Sequence, residues 1–209
     1  MRFLFAGILL ITASCGPKPT FVTKQGFNVR CLDAACFDVL EVESVIDMTA
    51  STLISKIGGP YSSDSVAKIY DKYWGWISII FVPERVGPAG SCATEKDPTR
   101  ACRGFPCPVS SNGWCVGLFD SNSLSITVAK RSDCVADSSL THELVHYFNY
   151  FLENYHDYRH DRRKYFAAGC LELESKDNRR ACFSNSVERT AKWNSFCNIC
   201  GGCDEKKDR

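Results

Sequence analysis

The chain has 209 residues, of which 44% are hydrophobic and 23% charged, with a net charge of +1 and a pI near 7.4. That length suits one domain, or one and a half, with enough chain for a sizeable core. The even charge balance has no long basic run and gives no reason to expect a nucleic-acid partner. Beyond the first residues, no stretch is long and apolar enough to span a bilayer.

Residues 1–15 read as a targeting segment. Arg2 supplies a short positive region, Phe3 to Ile11 form an apolar run, and Thr12-Ala13-Ser14-Cys15 follows. The apolar run is too short to cross a membrane. Small residues ahead of a cysteine resemble a bacterial lipoprotein cleavage site, although that pattern prefers Leu where this chain has Thr12. The resemblance implies that Cys15 becomes the lipidated first residue of a mature protein held on a cell-envelope membrane. The alternative is an ordinary secretory signal cut nearby, leaving the protein secreted or periplasmic. The chain carries 13 cysteines, so setting Cys15 aside leaves an even twelve. In an exported domain these are expected to pair as disulfides. Cys197, Cys200 and Cys203 have a spacing that imitates a metal cluster, but an oxidising compartment favours disulfides there too.

Residues 16–30 hold two prolines and two glycines and read as a tether. The folded domain is expected over 31–203, with 204–209 as a charged tail. Val42, Ile46, Thr49, Leu53 and Ile57 mark one face of a helix that Gly58-Gly59-Pro60 stops. Ser62, Ser63 or Asp64 can cap a second helix with Val66, Ile69, Tyr70, Tyr73 and Trp74 on its apolar face. Trp76 to Val82 is nearly all apolar and β-branched, as expected of a buried central strand ended by Pro83. Gly87 to Asn112, with Cys92, Cys102 and Cys107, reads as a disulfide-stapled insertion. Trp114–Phe119 and Leu124–Ala129 read as a hairpin turning at Asp120-Ser121-Asn122. The second of these strands alternates between apolar and polar residues. It reads as an edge that either faces solvent or accepts an extended peptide as an added strand.

Asp137, Ser138 and Ser139 can cap a helix that runs unbroken from Leu140 to Tyr155. Leu144, Phe148, Phe151, Leu152 and Tyr155 form its apolar stripe, with His142, His146, Asn149 and Glu153 on another face. His142-Glu143-Leu144-Val145-His146 reads H-E-x-x-H. Residues four apart on a helix stand about 5–6 Å from each other on one face. The two imidazoles can therefore share one Zn²⁺. Glu143, on the flank, can take a proton from a water on that metal without competing for it. All four histidines of the chain lie between His142 and His160. The charged run from His156 to Lys164 reads as a solvated loop. Cys170 and Cys182 bracket a polar excursion containing Glu172 and Glu174, and Asn185 to Phe196 reads as a last helix.

The motif resembles the zincin metallopeptidases. The resemblance implies an α+β, zincin-like fold: a small antiparallel or mixed sheet packed on a metal-bearing helix, here disulfide-rich. The metzincin branch continues with a Gly and a third His, where this chain has Asn149 and Leu152. The gluzincin branch takes a Glu from a downstream helix, and Glu188 to Ala191 is similar to its E-x-x-A pattern. That implies Glu188 as the third metal ligand, with Glu172, Glu174, His156 and Asp157 as alternatives. Asn185 and Glu188 also have capping-box spacing, so Glu188 could instead close the helix N-terminus. The expected function is an exported zinc metallopeptidase acting on peptides or proteins, with Glu143 as general base. A Tyr or His among residues 155–160 is a candidate to stabilise the oxyanion. The competing expectation is a non-catalytic, disulfide-rich binding lipoprotein on the same fold. An intact Glu143 speaks against it, because such a protein has no chemical need of that carboxylate.

Overall fold

The computed structural model describes residues 20–90, 101–108, 113–131, 133, 135 and 138–156. Over these the chain is mixed α+β, with eight strands and three helices. Two short strands, β1 (Phe21–Val22) and β2 (Asn28–Cys31), lead into α1 (Val39–Lys56) and α2 (Ser63–Lys72). Strands β3 (Ser78–Pro83), β4 (Arg85–Ala89), β5 (Ala101–Pro106), β6 (Trp114–Cys115), β7 (Gly117–Asp120) and β8 (Ser125–Lys130) follow, and α3 spans Leu140–Glu153.

The helices form where their caps and periodicity dictate. Asp38 caps α1 by accepting from the Leu40 N–H at 2.8 Å. The buried side of α1 carries Val42, Val45, Ile46, Ala50 and Leu53. Its end is marked by Gly58 and Gly59, both at positive φ. Ser62 caps α2 by accepting from the Ser65 N–H, and the helix buries Val66 and Ile69. Trp74, expected on that apolar face, falls in the turn beyond the helix end and is 54% exposed.

Five strands form one sheet in the order β1-β2-β3-β8-β7. β2, β3 and β8 run parallel, with β1 and β7 as antiparallel edges. β3 is central as its apolar run predicts, with Ile79 and Phe81 fully buried. Three expectations need correction. The tether does not extend to Arg30, because residues 21–31 supply β1 and β2. The alternating strand β8 is not an edge; it lies between β3 and β7, and β7 is the edge. The stretch 87–112 is more than a stapled loop, since it contributes to a second, antiparallel sheet of β4, β5 and β6.

That second sheet is held by specific devices. Cys107 and Cys115 form a disulfide, and Cys102 is also disulfide-bonded. Glu84, at the end of β3, pairs with Arg103 at 2.6 Å and with Arg131 at 3.1 Å, tying β5 to the end of β8. Gly104 sits at φ +148, and a Cβ there would fall 2.1 Å from the Cys115 carbonyl oxygen. Only glycine allows β5 to pass so close. Nearer the N-terminus, Cys31 and Cys36 form a second described disulfide, between β2 and α1.

α3 packs on β7 and β8 and against α1 and α2. Aromatic rings fill the seam: Tyr147 lies 5.2 Å from Phe27 and 6.2 Å from Phe119, and Tyr70 lies 6.2 Å from Phe148. Each fully buried large apolar side chain contributes about 1.5–3 kcal/mol relative to exposure. α3 is thus anchored on two sides before any site chemistry is considered. Among the described residues, no helix is long and apolar enough to cross a membrane.

Candidate metal centre

The start of α3 is fixed by two serines. Ser138 accepts from the Leu140 N–H at 3.2 Å, while Ser139, at the cap position, donates its hydroxyl to the Val116 carbonyl at 2.8 Å. The second bond ties the helix N-terminus to the residue just ahead of β7. The helix ends at Asn154, in the left-handed conformation (φ 51, ψ 43), which Asn tolerates better than most residues.

The helix is buried around most of its circumference, including Leu140, Thr141, Glu143, Leu144, Val145, Tyr147, Phe148 and Asn149. His142, His146 and Tyr150 make a half-buried strip that is left more open. The strip is narrower than the sequence suggests. Asn149, expected beside the histidines, is fully buried and accepts a hydrogen bond from the Tyr61 hydroxyl. A polar side chain can occupy a core position when a partner is already there.

The Nε2 atoms of His142 and His146 stand 3.2 Å apart, with ring centroids at 5.0 Å. Two nitrogens bound about 2.0–2.1 Å from one tetrahedral zinc would themselves be about 3.3–3.4 Å apart. The two rings are therefore already close to the spacing of two ligands on one metal. The same distance also accommodates an N–H···N hydrogen bond if the rings are of opposite tautomer.

Glu143 is 5% exposed and turns from the histidine strip toward the sheet. Its carboxylate oxygen Oε1 lies against Gly117 at the start of β7, where a Cβ would come within 2.5 Å of it. The base expected on the flank of the motif is thus held against the edge strand, about 100° round the helix from His142.

His156 is exposed, with its ring 4.5 Å from that of Tyr150. The helix does break at Asn154, the condition under which His156 could return toward the motif. Even so, among the described residues no group of three His, Cys, Asp or Glu side chains is gathered to hold a metal. Asp157, Glu172, Glu174, Glu188 and Cys15 lie outside the described residues, as do the candidate oxyanion groups beyond His156. Tyr147 and Tyr70, behind the helix, have their phenols pushed well above the usual value, chiefly by burial, so neither supplies an acid near neutral pH.

Sequence reasoning passed over Gly117, the Ser139–Val116 tether and the Tyr61–Asn149 bond. A glycine inside a strand pattern was the one available signal, since it marks close backbone approach. Comparison with protein-family models, with characterised proteins and with solved structures finds no match for this chain.

Proposed function

We propose that the protein is an exported zinc metallopeptidase with a zincin-like fold. The observation that carries this reading is the 3.2 Å separation of the His142 and His146 Nε2 atoms, with Glu143 one residue from His142 and buried at 5% exposure. The sheet–helix order, with a mixed sheet and an antiparallel edge ahead of the motif helix, resembles the zincin core.

His142 and His146 would hold the zinc through Nε2, with Glu188 as the proposed third ligand. Bound there, zinc would supply Lewis acidity, polarising a scissile carbonyl and lowering the pKa of water toward about 7. Glu143 accepts the proton of the attacking water on its carboxylate and returns it to the leaving amine. Its position under β7 keeps that carboxylate out of bulk water and fixes its direction. The helix anchors keep the two imidazoles in register with it, and β7, an edge of the sheet among the described residues, would offer backbone groups to an extended peptide. The signal-like residues 1–14 and Cys15 support an activity outside the cytoplasm, on a lipid anchor.

Metal analysis of the purified mature protein, run beside digestion of fluorescein-labelled casein with and without a chelator, tests the reading. The expected result is about one zinc per chain and cleavage that the chelator stops. A protein that holds no zinc, or holds it and cleaves neither casein nor a peptide library, overturns the reading and leaves a binding protein.

A further inference from the structure

We infer that Gly117 is a positioning residue for Glu143: the missing side chain on β7 makes room for the carboxylate of the general base. This rests on the peptidase reading for what the carboxylate does, though not for where it lies.

Three observations lead to it. Gly117 is not among the glycines at positive φ, so its backbone conformation is open to any residue. It is paired with Val128 in regular antiparallel register, a position where glycine weakens a strand. A Cβ there would fall 2.5 Å from Glu143 Oε1, 2.5 Å from Ser139 Oγ and 2.9 Å from Glu143 Cγ, where real Cβ contacts essentially never come under 3.0 Å. Conformation therefore does not call for glycine here, and space does.

All three crowded atoms belong to two side chains, so alanine is accommodated only if both Glu143 and Ser139 give way. Ser139 is held by its 2.8 Å bond to the Val116 carbonyl. The helix behind Glu143 is held by the fully buried Leu144 and Val145. Whatever Ser139 does, the carboxylate must move as well, by about 1 Å if it is to reach ordinary van der Waals contact. A misplacement of that size can cost on the order of 10²-fold in rate.

The test uses the full mature chain in four forms: native, Gly117→Ala, Glu143→Ala and the double variant. In metal-free protein, Gly117→Ala is expected to lower the melting temperature. The loss should shrink clearly when Glu143 is already alanine, because the crowded carboxylate is gone. In zinc-loaded protein, Gly117→Ala is expected to keep its zinc and its KM for fluorescein-labelled casein while kcat falls on the order of 10²-fold. Glu143→Asp, one methylene shorter, should make the same alanine much less harmful to kcat. An equal melting loss with and without the Glu143 side chain overturns the inference, as does a Gly117→Ala protein with native kcat. If Gly117→Ala fails to fold and the double variant folds, the clash lies with Glu143 and the inference stands. If neither folds, Gly117 serves the strand or Ser139 and not Glu143, and the inference falls. Should native zinc-loaded protein cleave nothing, the peptidase reading fails, and the melting comparison still decides what Gly117 does.

Discussion

Removing the Tyr61 hydroxyl, which lies outside the motif, should destabilise the protein measurably. Tyr61 is 2% exposed and donates to Asn149 Oδ1 across 88 residues of sequence. Asn149 is fully buried, and its Nδ2 has no hydrogen-bond partner among the described residues. Tyr61→Phe keeps the ring and leaves Oδ1 buried without that donor. An orphaned buried polar group costs about 1–3 kcal/mol, more than the net value of the bond itself. For a chain of this size each kcal/mol shifts melting by about 2–4 °C, so a loss of about 2–12 °C is expected. Circular-dichroism melts and urea titration give the number, with an unchanged m-value showing that stability alone has moved. Asn149→Leu should also cost stability, because it removes the acceptor of that bond. The double variant should be more stable than the sum of the two losses implies, because both partners are then gone. A Tyr61→Phe protein that melts like the native one would refute the reasoning, and so would strictly additive losses.

Glu143→Gln should abolish casein hydrolysis while zinc content and melting temperature stay near native, since the amide keeps the size and loses the base; near-native turnover would remove Glu143 from the mechanism. Glu188→Ala should weaken zinc binding and activity severely, as read by dialysis and metal analysis, if Glu188 is a ligand. A variant that keeps its zinc and melts only about 0.5–2 kcal/mol less stably would show a helix cap instead. The Asp120 carboxyl is held below its usual range, first by the Ser123 hydroxyl at 2.6 Å and then by the backbone N–H groups of Asn122 and Ser123, against the effect of burial. Its folded value lies below its unfolded one, so this turn's contribution is present above about pH 4 and is lost as pH falls through the folded value. Ser123→Ala should move the Asp120 titration up toward the ordinary range by NMR, and an unmoved midpoint would count against the bond. Mass spectrometry of the mature N-terminus should find lipid on Cys15, and an unmodified Cys15 or a start elsewhere would end that reading.

Some elements were legible because their signals are local. α1 shows 3.6-residue periodicity and a clear stop, α2 shows a cap and an apolar face, and β3 shows a continuous β-branched run. The β7–β8 turn also came through, because Asp120 and Asn122 carry turn chemistry of their own. The strands that escaped depend on distant partners. β2 is four residues long and is defined by pairing with β3 across both helices. β5 contains Gly104 and Pro106, which read as loop until Cys107–Cys115 and the Glu84 pairs are known. Alternation in β8 reports which faces are covered but not which edges are hydrogen-bonded, so it could not reveal β7 outside it. At the candidate site, the His142–Glu143–His146 spacing was visible in sequence. The turning of Glu143 under the sheet was not, because it depends on Gly117. Asn149 was misplaced because its partner, Tyr61, comes from the turn before α2.

The same contacts that misled the reading of Asn149 govern the chemistry of the motif. Neighbours on a helix point about 100° apart, so His142 and Glu143 leave the helix in different directions. In this fold the imidazoles keep the half-open side while the carboxylate goes under β7. Which residue takes which side is set by the rotation of α3 about its own axis. That rotation is fixed by groups other than the two histidines and Glu143: Leu144, Val145 and Phe148 in the core, Ser139 on the Val116 carbonyl, and Asn149 on Tyr61. Side chains lie about 5–6 Å from the helix axis, so a turn of only about 10° carries each of them through about 1 Å. A shift of that size can cost on the order of 10²-fold in rate. Core substitutions facing α1 and α2 should therefore reduce activity more than their effect on stability suggests, because they rotate the base and both imidazoles together.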